Sequence, residues 1–371
     1  MSHSFPCYEI WSRYESSGSF FLDTRFGLFL PVQFAGSTFD AMIKFALIGC
    51  GNIAARHAEN ISRVGKLVAV CDIVPEKANR LAAQYGANAY HAIDDLLGAE
   101  KEIEVVAVCT PNGLHAEHVI KSLQAKKHVL CEKPLCLTKA AAWQIIETEK
   151  FCRRKLFVVK STRFNPLLQE VKKTIADGRL GQVYSFHLSC IWNRPDSYYR
   201  DWKGKLFPDG GTLYTQFSHY IDAMLWLFGG VAGIKGFARN MAHQASIEFE
   251  DTGTVALQME NGSLGSLHWS VNAFRKNHEI AFTIVAEKGT LRLGGEYLQE
   301  VQYAVTEEEL LFAPPGKGAN DYIGYHGSMS HHQEVYNQLL EVLSGQDQNF
   351  TGAFEGLKTV ETIEKIYNAI S

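Results

Sequence analysis

Gly49-Cys50-Gly51-Asn52-Ile53-Ala54 is a G-x-G-x-x-A turn between an apolar run and an amphipathic stretch. Glycines there let backbone N–H groups approach a pyrophosphate closely, and the helix that follows offers it a positive N-terminal dipole. On its own such a turn is equally a plain strand-to-helix connection. Its setting favours a dinucleotide. Phe45-Ala46-Leu47-Ile48 reads as a buried strand before it, and Asp72 ends the next strand at the offset of roughly twenty residues where a carboxylate takes the adenosine ribose hydroxyls. Cofactor contacts are therefore expected at Gly49, Gly51, Asn52, Ile53 and Asp72. The charge of Asp72 opposes a 2′-phosphate and no arginine follows it directly, so NAD is expected rather than NADP. Asp72 equally suits a cap for the helix beginning near Pro75.

Thr110-Pro111-Asn112-Gly113-Leu114-His115 and Glu132-Lys133-Pro134 follow two further apolar runs. Doubly wound sheets bind ligands at their carboxyl edge, which adds Thr110, Pro111, Asn112, His115, Glu132 and Lys133 to the expected cofactor set. Out of that context Asn112 is a turn residue, and Glu132 and Lys133 are a solvated charge pair. Further along, His219 and Asp222 stand three apart in a helical stretch and share a face. The carboxylate either orients the imidazole or holds a separate structural contact.

These residues need a scaffold. Residues 45–48, 67–71, 105–109 and 128–131 are continuous apolar runs, the form of strands buried on both faces. Helical spacing covers 54–64, 76–85, 115–125 and 139–154, the last opened by Thr138 as N-cap. The expected first half, residues 42–162, is an α/β Rossmann domain with a doubly wound parallel sheet. From 163 to 371 longer alternating strands (183–192, 253–259, 263–271, 278–286) predict an α+β domain with an open, mainly antiparallel sheet for substrate binding and oligomerisation. Asn261-Gly262 between two of them suits a type I′ hairpin turn, and a helix over 356–370 closes the chain.

The chain has 371 residues, 46% of them hydrophobic and 20% charged, with a formal net charge of −4. That length suits two domains, and the absence of a basic block argues against nucleic acid as a partner. No membrane partner is expected. Eight cysteines without a C-x-x-C pair fit a reducing, cytoplasmic setting, and no metal site is expected from their spacing to His331 and His332. Residues 1–41 differ in character, with Phe20, Phe21, Phe26 and Phe29 interrupted by Asp23 and Arg25, and they lack the pattern of a secretory signal. Met42, just before the first strand, is read as the natural start, with 1–41 as an extension.

Together, Gly49-Cys50-Gly51, Thr110-Pro111-Asn112 with His115, and Glu132-Lys133-Pro134 resemble the glucose-fructose oxidoreductase, inositol dehydrogenase and MocA-like (Gfo/Idh/MocA) family over residues 42–371. The resemblance implies that Lys133 points at the substrate hydroxyl beside the nicotinamide. The stretch 209–222 resembles that family's glycine-rich entry into a helix bearing a catalytic histidine, which implies His219 in that role. Thr215 stands where polyol dehydrogenases of the family carry aspartate. Thr215-Gln216-Phe217-Ser218-His219, Arg163-Phe164-Asn165-Pro166, Trp192-Asn193-Arg194 and Gly327-Ser328-Met329-Ser330 are similar to bacterial UDP-N-acetylglucosaminuronate 3-dehydrogenases of polysaccharide synthesis, which carry glutamine at the position of Ser161.

This likeness implies a nucleotide-sugar substrate, contacted by Lys133, Arg163, Asn165, Asn193, Gln216, Ser218 and His219, with Arg194 as a second arginine. Arginine grips a carboxylate such as a uronate's bidentately, and Tyr198 and Tyr199 are candidates for stacking. Oxidation of a secondary alcohol needs a base for its proton and a positive group near its oxygen. His219 is expected as base and Lys133 as polarising group, with exchanged roles as the alternative. 2-Oxoglutarate is the reoxidant to test, and an open sheet calls for a homo-oligomer, dimer or tetramer. Competing expectations are another sugar or polyol dehydrogenase of the family, or a non-catalytic NAD-binding sensor.

Overall fold

In the computed structural model of the protein, residues 42–314, 319–322, 325–329 and 331–370 are described. The reading of residues 1–41 as an extension lies outside them, as do Cys7 and Ser330.

Six strands form a wholly parallel sheet in the order β3-β2-β1-β4-β5-β6: β1 (Lys44–Ile48), β2 (Lys66–Cys71), β3 (Asn88–Tyr90), β4 (Val105–Val108), β5 (His128–Cys131) and β6 (Leu156–Val158). Reversal of strand order on either side of β1 opens a crevice at its carboxyl end, where the glycine turn lies. Along β1 the side chains of Ala46 and Ile48 enter one core and those of Phe45 and Leu47 the other. Both faces are therefore covered, which is why the strands read as unbroken apolar runs. The intervening helices are α1 (Ala54–Val64), α2 (Pro75–Tyr85), α3 (Ile93–Ala99), α4 (His115–Gln124) and α5 (Lys139–Cys152). Thr138 caps α5 as expected, its hydroxyl accepting the Ala141 N–H at 3.1 Å. Sequence reading passed over β3 and α3, because three residues carry no periodicity and a seven-residue helix hardly more.

After α6 (Pro166–Ala176), a seven-stranded sheet follows in the order β13-β12-β11-β7-β10-β9-β8. Its strands are β7 (Val183–Ile191), β8 (Val231–Arg239), β9 (Thr252–Met259), β10 (Leu264–Ser270), β11 (Glu279–Ala286), β12 (Gly289–Gly294) and β13 (Glu300–Thr306). Every pairing is antiparallel except β7 with β10. The β9–β10 hairpin forms where Asn261-Gly262 predicts it, but not through a type I′ turn. Only Gly262 has a positive φ, +86°, whereas type I′ needs two such residues. The Asn261 side chain instead accepts the Ser263 N–H at 3.0 Å and the Met259 carbonyl the Gly262 N–H at 3.0 Å, leaving Gly262 alone in the left-handed region.

Between β7 and β8 lie α7 (Leu206–Asp209), a π-turn (Leu213–Phe217) and α8 (Ser218–Phe228). Most of α8 is buried, with Phe228 stacked on Phe186 of the sheet at 4.1 Å. A helix apolar nearly all round has to lie inside, and this one is enclosed by α6, the sheet and the last helix. Beyond a β14 (Ala319–Tyr322) and β15 (Tyr325–Met329) pair come α9 (His332–Leu343) and α10 (Ala353–Ile370). Tyr336 and Leu339 of α9 pack into the core of the first sheet, beside α1. Among the described residues no helix is long and apolar enough to cross a membrane.

One buried carboxyl makes stability depend on pH. Glu250 accepts hydrogen bonds from the Trp269 indole at 3.2 Å and the Tyr367 hydroxyl at 3.0 Å, and burial pushes its pKa up to about 8. A folded-state pKa above the unfolded value favours the native state most at low pH, and this advantage is lost as pH rises towards about 8. Glu250→Gln keeps an acceptor oxygen without a charge. It is expected to melt about 2–4 °C above the parent at pH 9 and to lose that margin at pH 5, by thermal unfolding at both pH values.

Candidate active site

At the glycine turn, Gly49 has φ +92°, and a Cβ there would lie 2.7 Å from the backbone of Cys109 and Thr110. Only glycine lets β1 and β4 come this close at the crevice. At Gly51 nothing lies within 4 Å of the same position, so the other side of the turn is open. No side chain caps α1, whose N-terminus faces that space through Asn52 and Ile53. Asp72 draws the turn together, accepting the N–H of Cys50 at 2.7 Å on one oxygen and of Val74 at 2.8 Å on the other. It does not cap α2, whose N-cap Val74 has no side-chain cap bond, but it joins the glycine turn to the residue before that helix, and each oxygen retains a lone pair for a ribose hydroxyl. Open space, an uncapped helix start and a carboxylate at the end of β2 fit NAD.

Two residues expected at the nicotinamide have other partners. His115 is buried with Nδ1 at 2.6 Å from the Pro134 carbonyl and Nε2 at 2.8 Å from that of Thr110, which ties the two carboxyl-edge loops together. Asn112 donates to the Asp209 carbonyl and to the Thr215 hydroxyl, both at 2.7 Å, and so joins the first sheet's edge to the π-turn. Their side chains build the crevice, while Thr110 and Pro111 supply its backbone; the Thr110 hydroxyl pairs with His118 at 3.0 Å.

Lys133 and His219 lie near enough for the charge of the ammonium to act on the imidazole. The Lys133 ammonium donates to the Thr215 carbonyl at 2.8 Å, and the Lys133–Pro134 peptide is cis. Single π-turns recur at functional sites, and this one sets Thr215 and Gln216 one turn before His219. The Thr215 hydroxyl bonds the buried carboxyl of Asp209, whose pKa burial pushes up to about 6. Burial also brings the Lys133 amine down to about 8. Burial, followed by the charge of Lys133, holds the His219 imidazole well below its ordinary value, which favours its neutral form. His219 Nδ1, Ser218 Oγ and Ser161 Oγ are buried without a hydrogen-bond partner among the described residues. Orphaned polar atoms on α8 and on the short helical turn at Ser161–Phe164 packed against it call for a ligand or water.

Asp222 does not orient His219. Its carboxylate is bonded by Arg163 at 2.8 Å through both Nε and Nη2, and lies 3.1 Å from the Lys160 ammonium. Burial opposes that charge, but the two cations outweigh it and hold the carboxyl down at about 2. Arg163 is therefore engaged with Asp222 and does not present the free fork that a sugar carboxylate requires. Asn165 caps α6 and donates to the Leu298 carbonyl at 2.9 Å, and Asn193 donates to the Ala273 carbonyl at 2.6 Å. These three, expected at the sugar, make those bonds within the protein. Gln216 accepts from Arg194 at 2.8 Å and donates to the Tyr198 hydroxyl at 2.8 Å. Arg194 lies between the rings of Trp192 and Tyr198, at 4.8 and 5.2 Å.

Lys160 and Asp209 escaped sequence reading. Lys160 follows a buried strand as Lys133 does, a position that points at the carboxyl edge. Asp209 opens the glycine-rich stretch, but its closeness to Thr215 depends on the loop that α7 begins. Among the described residues, His57, Glu132 and His332 bring three nitrogen and oxygen atoms within 4.8 Å of one another. Of the segment 327–330, residues up to Met329 belong to β15.

Residues 43–159 match the model of the Gfo/Idh/MocA oxidoreductase family, NAD-binding Rossmann fold, and residues 168–292 that of the GFO/IDH/MocA C-terminal domain. The WlbA dehydrogenase of Bordetella pertussis, solved with NADH and UDP-GlcNAcA, is 31% identical, with a TM-score of 0.78 over 88% of this chain and 96% of that one. A second WlbA dehydrogenase, from Chromobacterium violaceum and solved with the same two ligands, is 30% identical, with a TM-score of 0.80 over 89% of this chain and 94% of that one. An inositol 2-dehydrogenase of Rubrobacter xylanophilus is 28% identical over 256 residues, 68% of this chain and 71% of that enzyme. Two family domains in order, a crevice that fits NAD and likeness along nearly the whole of 42–371 lead to one conclusion: the chain belongs to the Gfo/Idh/MocA family and is an NAD-dependent dehydrogenase of sugar or polyol hydroxyls.

Proposed function

We propose that the protein oxidises the C3 hydroxyl of a nucleotide-linked hexuronate, UDP-N-acetylglucosaminuronate, as a step of cell-surface polysaccharide synthesis. The observation that carries this reading is the buried His219 Nδ1, without a partner among the described residues, one turn after the Thr215 carbonyl to which the Lys133 ammonium donates. A base and a cation at one point are what removal of a hydroxyl proton requires. The two WlbA structures support the choice of sugar.

In this mechanism the substrate hydroxyl lies between Lys133 and His219. Lys133 turns from the Thr215 carbonyl to the sugar oxygen and stabilises the negative charge that builds there. His219 takes the proton as the C–H bond breaks; NAD, held along Gly49, Gly51 and Asp72, would supply the hydride acceptor. Arg194 and Gln216, buried beside Tyr198, stand on the side of Lys133 where the charge of Arg194 reaches it, and we assign them to the pyranose end. Lys133, His219, Gln216 and Ser218 remain the proposed substrate contacts; Gly49, Gly51, Asn52, Ile53 and Asp72 hold the cofactor. A residue boundary at 162/163 separates the two domains.

The outer face of the second sheet carries exposed Phe237, Leu264 and Val285, with a groove of about 270 Å³ along Phe186, Leu264 and Val285. We assign this face to contact between subunits of a dimer or tetramer. The seven cysteines of the described residues are free and buried, in keeping with a reducing cytoplasm.

The inositol dehydrogenase relative supports a second reading, a free polyol as substrate. Purified protein with NAD and either UDP-N-acetylglucosaminuronate or myo-inositol separates the two. A nucleotide sugar lighter by about two mass units, with NADH formed in step, is expected. If 2-oxoglutarate in a parallel sample raises the product without free NADH, the cofactor is recycled in place. NADH from inositol alone would reject the nucleotide-sugar reading, and NAD binding without oxidation of any sugar would favour the sensor.

A further inference from the structure

Glu132 directly follows β5, one residue before the lysine, and is 7% exposed. Its Oε1 lies 2.8 Å from His57 Nε2 and 3.3 Å from His332 Nε2, while Oε2 accepts the backbone N–H of Lys133 at 3.1 Å. On its other side His57 Nδ1 is 2.8 Å from the Tyr336 hydroxyl. With Nε2–H donating to the carboxylate, Nδ1 accepts the phenol proton, so a neutral His57 is satisfied at both nitrogens. The rings of His57 and His332 meet edge to face, 5.4 Å apart. Three elements converge here: α1, which opens at the cofactor turn, β5, and α9 from the far end of the chain. Both imidazoles meet a single oxygen, which is the convergence of two N–H donors on one acceptor. The Lys133 ammonium close by works against a divalent cation at the same place.

We propose that His57, Glu132, His332 and Tyr336 act as one positioning unit that fixes the backbone of Lys133 and keeps a carboxylate charged beside its ammonium. The inference rests on the reading of Lys133 as the group that polarises the reacting oxygen. Burial opposes the Glu132 charge, but hydrogen bonds from His332 and His57 outweigh it and hold the carboxyl well below the usual range. Around Lys133, burial and the charges of Arg194, beyond β7, and Lys160, at the end of β6, favour loss of its proton. Glu132 and Asp209 of α7 favour keeping it, Glu132 more strongly. The unit therefore maintains the cation that the proposed chemistry uses, and it does so from the helix that carries the cofactor turn.

Competitive acetylation of the resting protein tests this without substrate. Trace acetic anhydride is applied across a pH series, and acetylation of Lys133 is read by mass spectrometry. The wild-type curve should be centred at about 8. In Glu132→Gln, or in Glu132→Met should that variant misfold, the midpoint should fall by about one unit, which is about tenfold more free amine on the acid side of the curve. In turnover, His57→Leu should lower kcat about tenfold, and His57→Gln, which keeps a donor towards Glu132 and an acceptor towards Tyr336, should restore most of it. An unmoved acetylation curve in a natively melting Glu132 variant, or stoichiometric zinc in the purified protein, overturns the proposal. Failure of the dehydrogenase reading looks different: the wild type forms no NADH with any sugar, while its acetylation curve still reports on Glu132.

Discussion

Lys133→Ala lowers kcat at least about 10²-fold, while NAD binding is retained and the melting temperature stays near the parent's. The size follows from what the ammonium does. In the proposed mechanism the developing oxyanion lies in the crevice, where a fixed cation stabilises far more than it does in water, and the neighbouring cations are engaged elsewhere: Lys160 is held by Asp222, and Arg194 by Gln216 and Asn277. Stability is spared because the one bond lost is to the Thr215 carbonyl. His219→Ala brings a loss of similar order by removing the base. The pH dependence has a definite sign. With Lys133 acting protonated, as proposed, and burial bringing its amine down to about 8, kcat/KM is expected to fall as pH rises through that value, while His219, held neutral, sets no limit near neutrality. Stopped-flow turnover against pH, together with NAD titration by fluorescence, reads both parts.

Asp222→Ala has the largest expected effect on stability, a loss of about 3–5 kcal/mol. One buried carboxylate serves two cations, Lys160 and Arg163, and also accepts the Thr359 hydroxyl at 3.1 Å. Its removal leaves both cations without their counter-charge in an interior that cannot hydrate them. Set against a typical total of about 5–15 kcal/mol, that loss leaves a substantial unfolded fraction at 37 °C. Urea unfolding of the parent and the variant measures it. Because the folded-state pKa is depressed to about 2, the parent holds this contribution above the unfolded carboxyl value and loses it as pH falls towards about 2. The gap between parent and variant should therefore narrow in acid. An unchanged unfolding midpoint would mean that the three charges do not stabilise one another.

The cofactor half was legible because its signals are local. Gly49, Gly51 and Asp72 lie within one strand-turn-helix-strand unit, and continuous apolar runs mark strands covered on both faces. The substrate half was legible in class but less so in detail. Arg163 and Asn165 look like ligands in a sequence, since an arginine beside an asparagine before a helix carries no mark of being held by Asp222 or of capping α6. The bond from Arg163 to Asp222 spans 59 positions, and that from His332 to Glu132 spans 200. No periodicity encodes such distances; they arise only when α8 and α9 fold back on the sheets. Asn112 and His115 stand at the carboxyl edge, but whether an edge side chain meets a ligand or ties loops together depends on what the opposing half brings. Asn261-Gly262 shows the same limit at short range: the dipeptide marks the hairpin, while the side-chain bond to Ser263 selects the turn.

In the proposed reaction, hydride leaves C3 of a UDP-linked uronate for NAD at the Lys133–His219 site. Substrate deuterated at C3, with the nicotinamide recovered and weighed after a single turnover, tests this. The label is expected to move to NADH, making it heavier by about one mass unit, and the step to slow; in Lys133→Ala the transfer should slow further by about 10²-fold. Label retained in the sugar while NADH still forms would place the oxidation at another carbon and contradict it.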